Sequence, residues 1–406
     1  MGGVSGSNPE TAGSMSAVEK GEKSPVPLAA QVVLLTNFVP PYRLPLYEAL
    51  ADRVARLTVL VSTPVEEGRS WRPDSGRLEL RVQRTLSLRR SWRHPAGFSD
   101  AASLHVPWDT LPQLRSLRPD VVISGELGFR SLFSAVYRVL SGARLVLWAT
   151  LSERSEQGRH PLRLLLRRFL LRHADRVIVN GASGARYVRS YGVPDHRIDV
   201  VPYVALPGFS EAARHSPAAN DPVRHLLFVG QLTERKGLVP FLRALDAWAR
   251  SHPSEEIALT IVGSGESQPL IEGFRPTGSL AIRLLGEQDP AALPAFFAQA
   301  DALVFPTLAD EWGLVVNEAL AAGVPVLGSI HSQAVEELCH EGRTGWVFDP
   351  EDEASTRSAI DRALSTGADD LARMRELARE RVRHLTPQWA ADRLVETVLA
   401  ALRDPS

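Results

Sequence analysis

The chain has 406 residues, of which 44% are hydrophobic and 23% charged, and its formal net charge is −1. These values describe an ordinary globular protein and exclude collagenous, disulfide-dense and wholly disordered classes. The length exceeds what one hydrophobic core usually supports, so two domains are expected.

Residues 1–30, which begin MGGVSGSNPETAGSMSAVEKGEKSP, are small and polar, lack the apolar core of a signal peptide and read as a disordered tail, with Met15 as an alternative start. Cys339 is the only cysteine, so an intrachain disulfide and a thiolate metal cluster are both excluded and a reducing, cytoplasmic setting is expected. No run reaches the roughly 18 apolar residues of a membrane span. Residues 31–200 hold 26 Arg and no Lys against 15 acids, whereas the chain after 200 holds 18 basic and 29 acidic residues. A basic front half invites an anionic partner: membrane headgroups, nucleic acid or a phosphorylated substrate. A solvated basic face is the plainer explanation.

From residue 31 to 203, QVVLLTN, LTVLVS, DVVIS, RLVLWAT, RVIVN and IDVVP are short apolar runs of the kind buried on both faces of a parallel sheet. Helical patterns such as LPLYEALADRV, FRSLFSAVYRVLSG and PLRLLLRRFLLRHA alternate with them, which predicts a doubly wound α/β domain. The last of these and the run RTLSLRRSWRH at 84–94 are basic and partly apolar, a pattern shared by core helices and membrane-surface segments. NGASGARYV reads as a capped helix, since Gly181 and Gly184 do not match a dinucleotide fingerprint. Residues 204–223 lose periodicity and read as a linker.

Alternation resumes at 224 with HLLFVG, a helix near LVPFLRALDAWARS, then IALTIVG, AIRLLG and DALVFPT. A second domain is predicted over 224–385, closed by helical stretches near 352–384 and 388–403, the final helix of 386–406 packing back towards the first domain. The phrase HLLFVGQLTERKGL places Lys236 just before a helix start, where amides and an ammonium group suit a phosphate; a surface lysine near a cap is the alternative. It is not a Walker A loop. Gly263 and Gly265 in IVGSGES permit a tight turn or close ligand approach. In PTLADEWGLVVNEALAAGVPVLGS, Asp310 and Glu311 suit a helix amino terminus. Glu318 lies a turn and a half into a helix expected from about 313 to 322, on a face shared with Leu314 and Ala321 or Ala322, and such an acid is costly unless it has a partner or borders a cleft.

The ordered combination FVGQLTERKG, IVGSGE, IRLLGE and PTLADEWGLVVNEALAAGVPV resembles the retaining glycosyltransferases of family 4, which have the GT-B fold of two Rossmann-like domains facing a cleft. The resemblance runs from YRLPLYEAL to the C-terminal helices and is strongest over 225–350. It implies transfer of a sugar from a UDP- or GDP-type nucleotide sugar to an acceptor, without a metal or other cofactor. It places Asp310 and Glu318 at the two acids of the family's signature, the first on donor sugar hydroxyls and the second on the ribose, and Lys236 at the donor diphosphate. Gly230, Gln231, Arg235, Gly263, Gly265, Leu285, Gly313, Leu314 and Val315 fall at donor-binding positions. Gln231 stands where the family often has Arg, Asp310 is shorter than the usual Glu, and Glu126 occupies the loop where a His is frequent. Tyr42, Arg43 and Glu126 are acceptor-side candidates. The expected acceptor is a lipid-linked saccharide or a polysaccharide or glycolipid precursor, met at the inner membrane face through the basic first domain, and nucleic acid is not an expected partner. A soluble small-molecule acceptor, a nucleotide-sugar epimerase or hydrolase, and a silent binding protein are the alternatives.

Overall fold

In the computed structural model, the described residues are 27–64, 76–206, 208–209 and 223–404. Most of the tail read as disordered, and residues 207 and 210–222 of the linker, lie outside them.

The apolar runs of the front half form a seven-stranded parallel sheet. It takes in β1 (Leu28–Thr36), β2 (Val54–Val61), β3 (Glu79–Val82), β6 (Val121–Gly125), β7 (Arg144–Ala149), β8 (Arg176–Val179) and β9 (Ile198–Val200). Their spatial order is β3-β2-β1-β6-β7-β8-β9. Side chains alternate across it with the two-residue period of a strand. Val33 and Leu35 pack in the core shared with helices α2 (Thr110–Leu117), α3 (Phe129–Ser141), α4 (Pro161–His173) and α5 (Ala182–Ser190). Val32 and Leu34 pack on the opposite face, with α1 (Leu44–Ala51). The basic run at 84–94 forms a strand: β4 (Thr85–Arg93) pairs antiparallel with β5 (Ser99–Pro107) in a separate two-stranded ribbon. Its leucines alternate with serine and threonine, a strand period that the run of arginines obscures.

The back half builds a six-stranded parallel sheet in the order β12-β11-β10-β13-β14-β15. Its strands are β10 (Val223–Val229), β11 (Glu256–Val262), β12 (Leu280–Leu284), β13 (Ala302–Phe305), β14 (Val326–Ser329) and β15 (Gly345–Phe348). The helices between them are α6 (Leu238–Ser251), α7 (Gln268–Glu272), α8 (Leu293–Ala298), α9 (Leu314–Ala321) and α10 (Gln333–Leu338). The helical stretch expected near 352–384 divides at Gly367 into α11 (Glu353–Leu364) and α12 (Ala368–Val382). The backbone of Gly367 is extended, ψ 161°, and starts the second helix in a new direction. The closing helix α13 (Pro387–Arg403) leaves the second domain and lies on the first, against α1 and the sheet at β6, β7 and β8. There Arg53 reaches Asp392 at 2.6 Å.

Both sheets present the carboxyl ends of their strands to the space between the domains, the edge at which open parallel sheets bind ligands.

Candidate active site

The turn from β13 into α9 sets the centre of the site. Gly313 caps α9 with φ 101°, a left-handed conformation that side chains other than glycine's rarely adopt. A Cβ there would lie 2.6 Å from Cε1 of Phe305 and 3.0 Å from Oγ of Ser332. Gly313→Ala is therefore expected to lower folding stability by about 1–3 kcal/mol, measured as a lowered urea midpoint at unchanged slope. The first amides of α9, those of Leu314 and Val315, have no intrahelical acceptor and are available to an anion. The side chains of both residues are half-buried against the core.

Lys236 ends a 3-10 turn, Glu234–Lys236, that follows β10. Its Nζ is 2.5 Å from Oδ2 of Asp310 and 5.1 Å from the centre of the Phe305 ring. Arg235 donates to the carbonyl of Ala309 at 2.9 Å and stands 3.5 Å from the same Asp310 oxygen. Burial alone would raise the Asp310 pKa, but the charges of Lys236 and Arg235 outweigh it and hold the carboxyl below its usual value. The lysine carries three N–H donors, one of which serves Asp310. Asp310 is thus a group that orients Lys236, and its other oxygen faces the amide of Trp312 at 3.4 Å.

Glu318 is half-buried and its carboxyl makes no hydrogen bond or ion pair among the described residues. Burial pushes its pKa up to about 7. Glu311, which drew attention in the sequence only as a helix-start acid, has an exposed surface yet sits among groups of both domains. That enclosure, with the charge of Asp310, raises its pKa to about 7.

Gly230, Gly263 and Gly265 let the loops after β10 and β11 touch. A Cβ on Gly263 would lie 1.9 Å from the Gly230 carbonyl oxygen, and one on Gly265 would lie 2.5 Å from that of Leu232. Their immediate task is this backbone contact. Gln231 is exposed on the same loop, and Leu285, half-buried beyond β12, donates its amide to Ile261 at 2.9 Å.

In the first domain Glu126 sits after β6 with φ 72°, a strained conformation for a residue with a side chain. Its carboxylate accepts from Asn37 and lies 3.6 Å from the buried guanidinium of Arg130. Arg130 also donates to Asn37 and to Ser62, at 2.6 Å in the latter case. Four groups from the ends of β1, β2, β6 and the start of α3 therefore form one polar wall. Only Glu126 is visible as a candidate in the sequence; the other three lie far from it along the chain or within a helix pattern.

Tyr42 is half-buried, with its ring 5.9 Å from that of Tyr203. Arg43, the other acceptor-side candidate of this stretch, is buried. It is 7% exposed and its guanidinium is held over the Tyr203 ring at 3.8 Å and the Trp148 ring at 4.3 Å. It is a packing cation between aromatic faces.

The two domains meet through backbone atoms that one side chain reads. The Gln333 amide donates to the carbonyls of Leu151 at 2.7 Å and Glu311 at 2.6 Å, and its oxygen accepts from the Gly184 amide at 2.9 Å. Gly181 and Gly184 are small for this approach: a Cβ at Gly181 would meet Glu337 at 2.7 Å, and one at Gly184 would meet Gln333 at 3.2 Å. Asn317 donates to the carbonyl of Tyr203 at 2.8 Å, and Arg154 pairs with Glu351 at 2.5 Å. Gln333→Ala leaves buried carbonyls unpaired, and a loss of about 1–3 kcal/mol in urea denaturation is expected. No signal in the sequence singles out Gln333.

Among the described residues, His331, Asp349 and Glu351 are a group whose ligand atoms, all within 4.8 Å of one another, could hold a cation. Arg154 already neutralises Glu351.

Two family models match the chain. Residues 39–204 match the glycosyl transferase 4-like domain, and residues 223–366 match glycosyl transferases group 1. The chain belongs to the GT-B glycosyltransferases of family 4. Over 251 residues this glycosyltransferase is 32% identical to a D-inositol 3-phosphate glycosyltransferase of Nocardia farcinica, covering 57% of the chain and 54% of that protein. It is 35% identical over 202 residues to a glycogen synthase of Mycobacterium tuberculosis, covering 48% and 47%. The chain therefore spans about half the length of these curated relatives. Among solved structures, a lipopolysaccharide outer core galactosyltransferase superposes with a TM-score of 0.65 at 12% identity, over 91% of this chain and 99% of that one. The HepE protein of Anabaena, in complex with UDP and glucose, gives 0.63 at 15% identity over 91% and 99%. At these identities the likeness establishes the shared fold.

Proposed function

We propose that the protein transfers a sugar from a nucleoside-diphosphate sugar to an acceptor hydroxyl with retention at the anomeric carbon and without a metal. The observation that carries this reading is the half-buried carboxyl of Glu318, without a partner among the described residues, about one helix turn beyond the first amides of α9 and near a lysine poised by Asp310. A carboxylate there accepts two hydrogen bonds from a ribose, which offsets its desolvation. Lys236 and the amides of Leu314 and Val315 stabilise the diphosphate as it departs.

The bond from the anomeric carbon to the diphosphate oxygen breaks, and the electron pair leaves with the nucleoside diphosphate. The acceptor oxygen bonds to the same face of that carbon, and its proton passes to a phosphate oxygen. No protein nucleophile is required. Asp310 holds Lys236 and lies on the sugar side of the diphosphate. The wall of Glu126, Asn37 and Arg130 orients the acceptor.

Relatives differ in the acceptor that their names state, an inositol phosphate in one case and glycogen in another. For this chain a lipid-linked or glycolipid precursor is the reading favoured by the basic first domain, with a soluble phosphorylated acceptor as the second. The test is thermal stabilisation by UDP, GDP, ADP and their sugar conjugates, repeated with Lys236→Ala and Glu318→Ala. Stabilisation by one nucleotide series, lost in both variants, supports the donor site. Absence of any shift at millimolar ligand refutes it.

A further inference from the structure

Helices α3 and α4 lie side by side in the layer that covers one face of the first sheet. A surface helix ordinarily turns its polar side outward. In α3 the arrangement is inverted. Arg130, Ser131, Ser134 and Tyr137 are buried, whereas Val136, Val139 and Leu140 are exposed, Val139 to 70%. At 100° per residue these three fall within about 100° of arc, with half-buried Leu132 and Phe133 on the same side. The outward stripe of α4 is also apolar: Leu162 is 71% exposed, Leu165 65% and Phe169 41%. Arg168 and Arg172 border that stripe on one flank and Arg163 on the other, all exposed. Neither helix contains an Asp or Glu, and none of these three arginines forms an ion pair among the described residues.

Six large exposed apolar side chains on two adjoining helices exceed the scattered exposure normal for a protein surface. We propose that the α3–α4 face is a docking surface for an anionic lipid bilayer, with the apolar stripes entering the acyl boundary and the arginines meeting headgroup phosphates. The charge pattern selects this occupant. A second copy of the chain would bring like-charged arginine rims together, and a solvated face would not carry the leucines and Phe169. The placement also suits lipid-borne acceptors, since α3 begins at the polar wall of Glu126 and Arg130, and the loop that leads into α4 contains Arg154. The proposal itself stands without the catalytic reading.

The test is co-sedimentation of the full chain with vesicles of equimolar phosphatidylglycerol and phosphatidylcholine, and with phosphatidylcholine alone. Binding to the anionic vesicles is expected at low salt, weakened at high salt and at least about tenfold weaker on neutral vesicles. Val139→Glu with Leu165→Glu is expected to weaken it about tenfold or more. Arg168→Ser and Arg172→Ser are each expected to weaken it about fivefold. Unchanged circular dichroism and melting temperature of each variant keep the comparison to folded protein; a variant that fails this is replaced by Val139→Ser with Leu165→Ser. Equal binding to both vesicle types, no binding to either, or variants that bind like the parent overturn the proposal. So does a dimer in sedimentation velocity that the same substitutions dissociate while vesicle binding is absent.

Discussion

Lys236→Ala is expected to lower kcat about 10²–10³-fold, the loss of about 2.7–4 kcal/mol that follows removal of one donor from a developing negative charge. The effect falls on the chemical step, because charge on the diphosphate grows as the sugar leaves. The same substitution also strands Asp310, whose carboxyl is largely buried and retains Arg235 at 3.5 Å as its remaining cation. A stability loss of about 3 kcal/mol accompanies it. The two effects separate in Lys236→Ala with Asp310→Ala. Removing the stranded acid is expected to restore much of the urea midpoint and none of the turnover. Turnover within about threefold of the parent in Lys236→Ala would exclude the lysine from the reaction.

Glu318→Gln is expected to weaken donor binding by about 10–100-fold, the equivalent of hydrogen bonds to a charged group. Because burial sets the carboxyl near 7, ligand that requires the carboxylate binds more tightly as pH rises through neutrality. Below about pH 7 the affinity falls towards tenfold per unit. The unliganded protein shows the opposite trend. Its folded carboxyl keeps a proton that the unfolded chain has released above the ordinary 4.5, so this group costs stability as pH rises from there to about 7. Calorimetric titration with nucleotide across that range reads the first trend and urea denaturation of the unliganded protein the second, each in parent and Glu318→Gln. Glu311 also titrates near 7, so the difference between the two profiles, rather than either profile, belongs to Glu318. A difference that is flat with pH would sink the ribose assignment.

The parallel sheets are legible in the sequence because doubly covered strands are written as unbroken apolar runs. The β13–α9 junction is legible for a related reason: Gly313 and Gly323 punctuate a helix of strong formers, and Lys236 stands at a second such boundary. The β4–β5 ribbon is not, since its period of two is hidden by arginines. Gln333, Asn37 and Arg130 acquire their roles only when distant strands end at one edge. Arg43 reads as a cleft residue by its place after β1, yet two aromatic rings brought from elsewhere, Trp148 and Tyr203, hold it. The helical period of α3 is plain, but which of its faces the sheet covers is decided by packing, and here the polar side with small serines fits closest. Even Gly181 and Gly184, which show no fingerprint, are explained by the side chains of Glu337 and Gln333 arriving beside them from the other domain.

The course of α13 limits how this molecule can open. The chain passes from the first domain to the second once before β10, and returns once before α13, which stays fixed to α1 and the first sheet. Two connections rather than one join the domains, so any movement of the second domain is limited to what both connections tolerate.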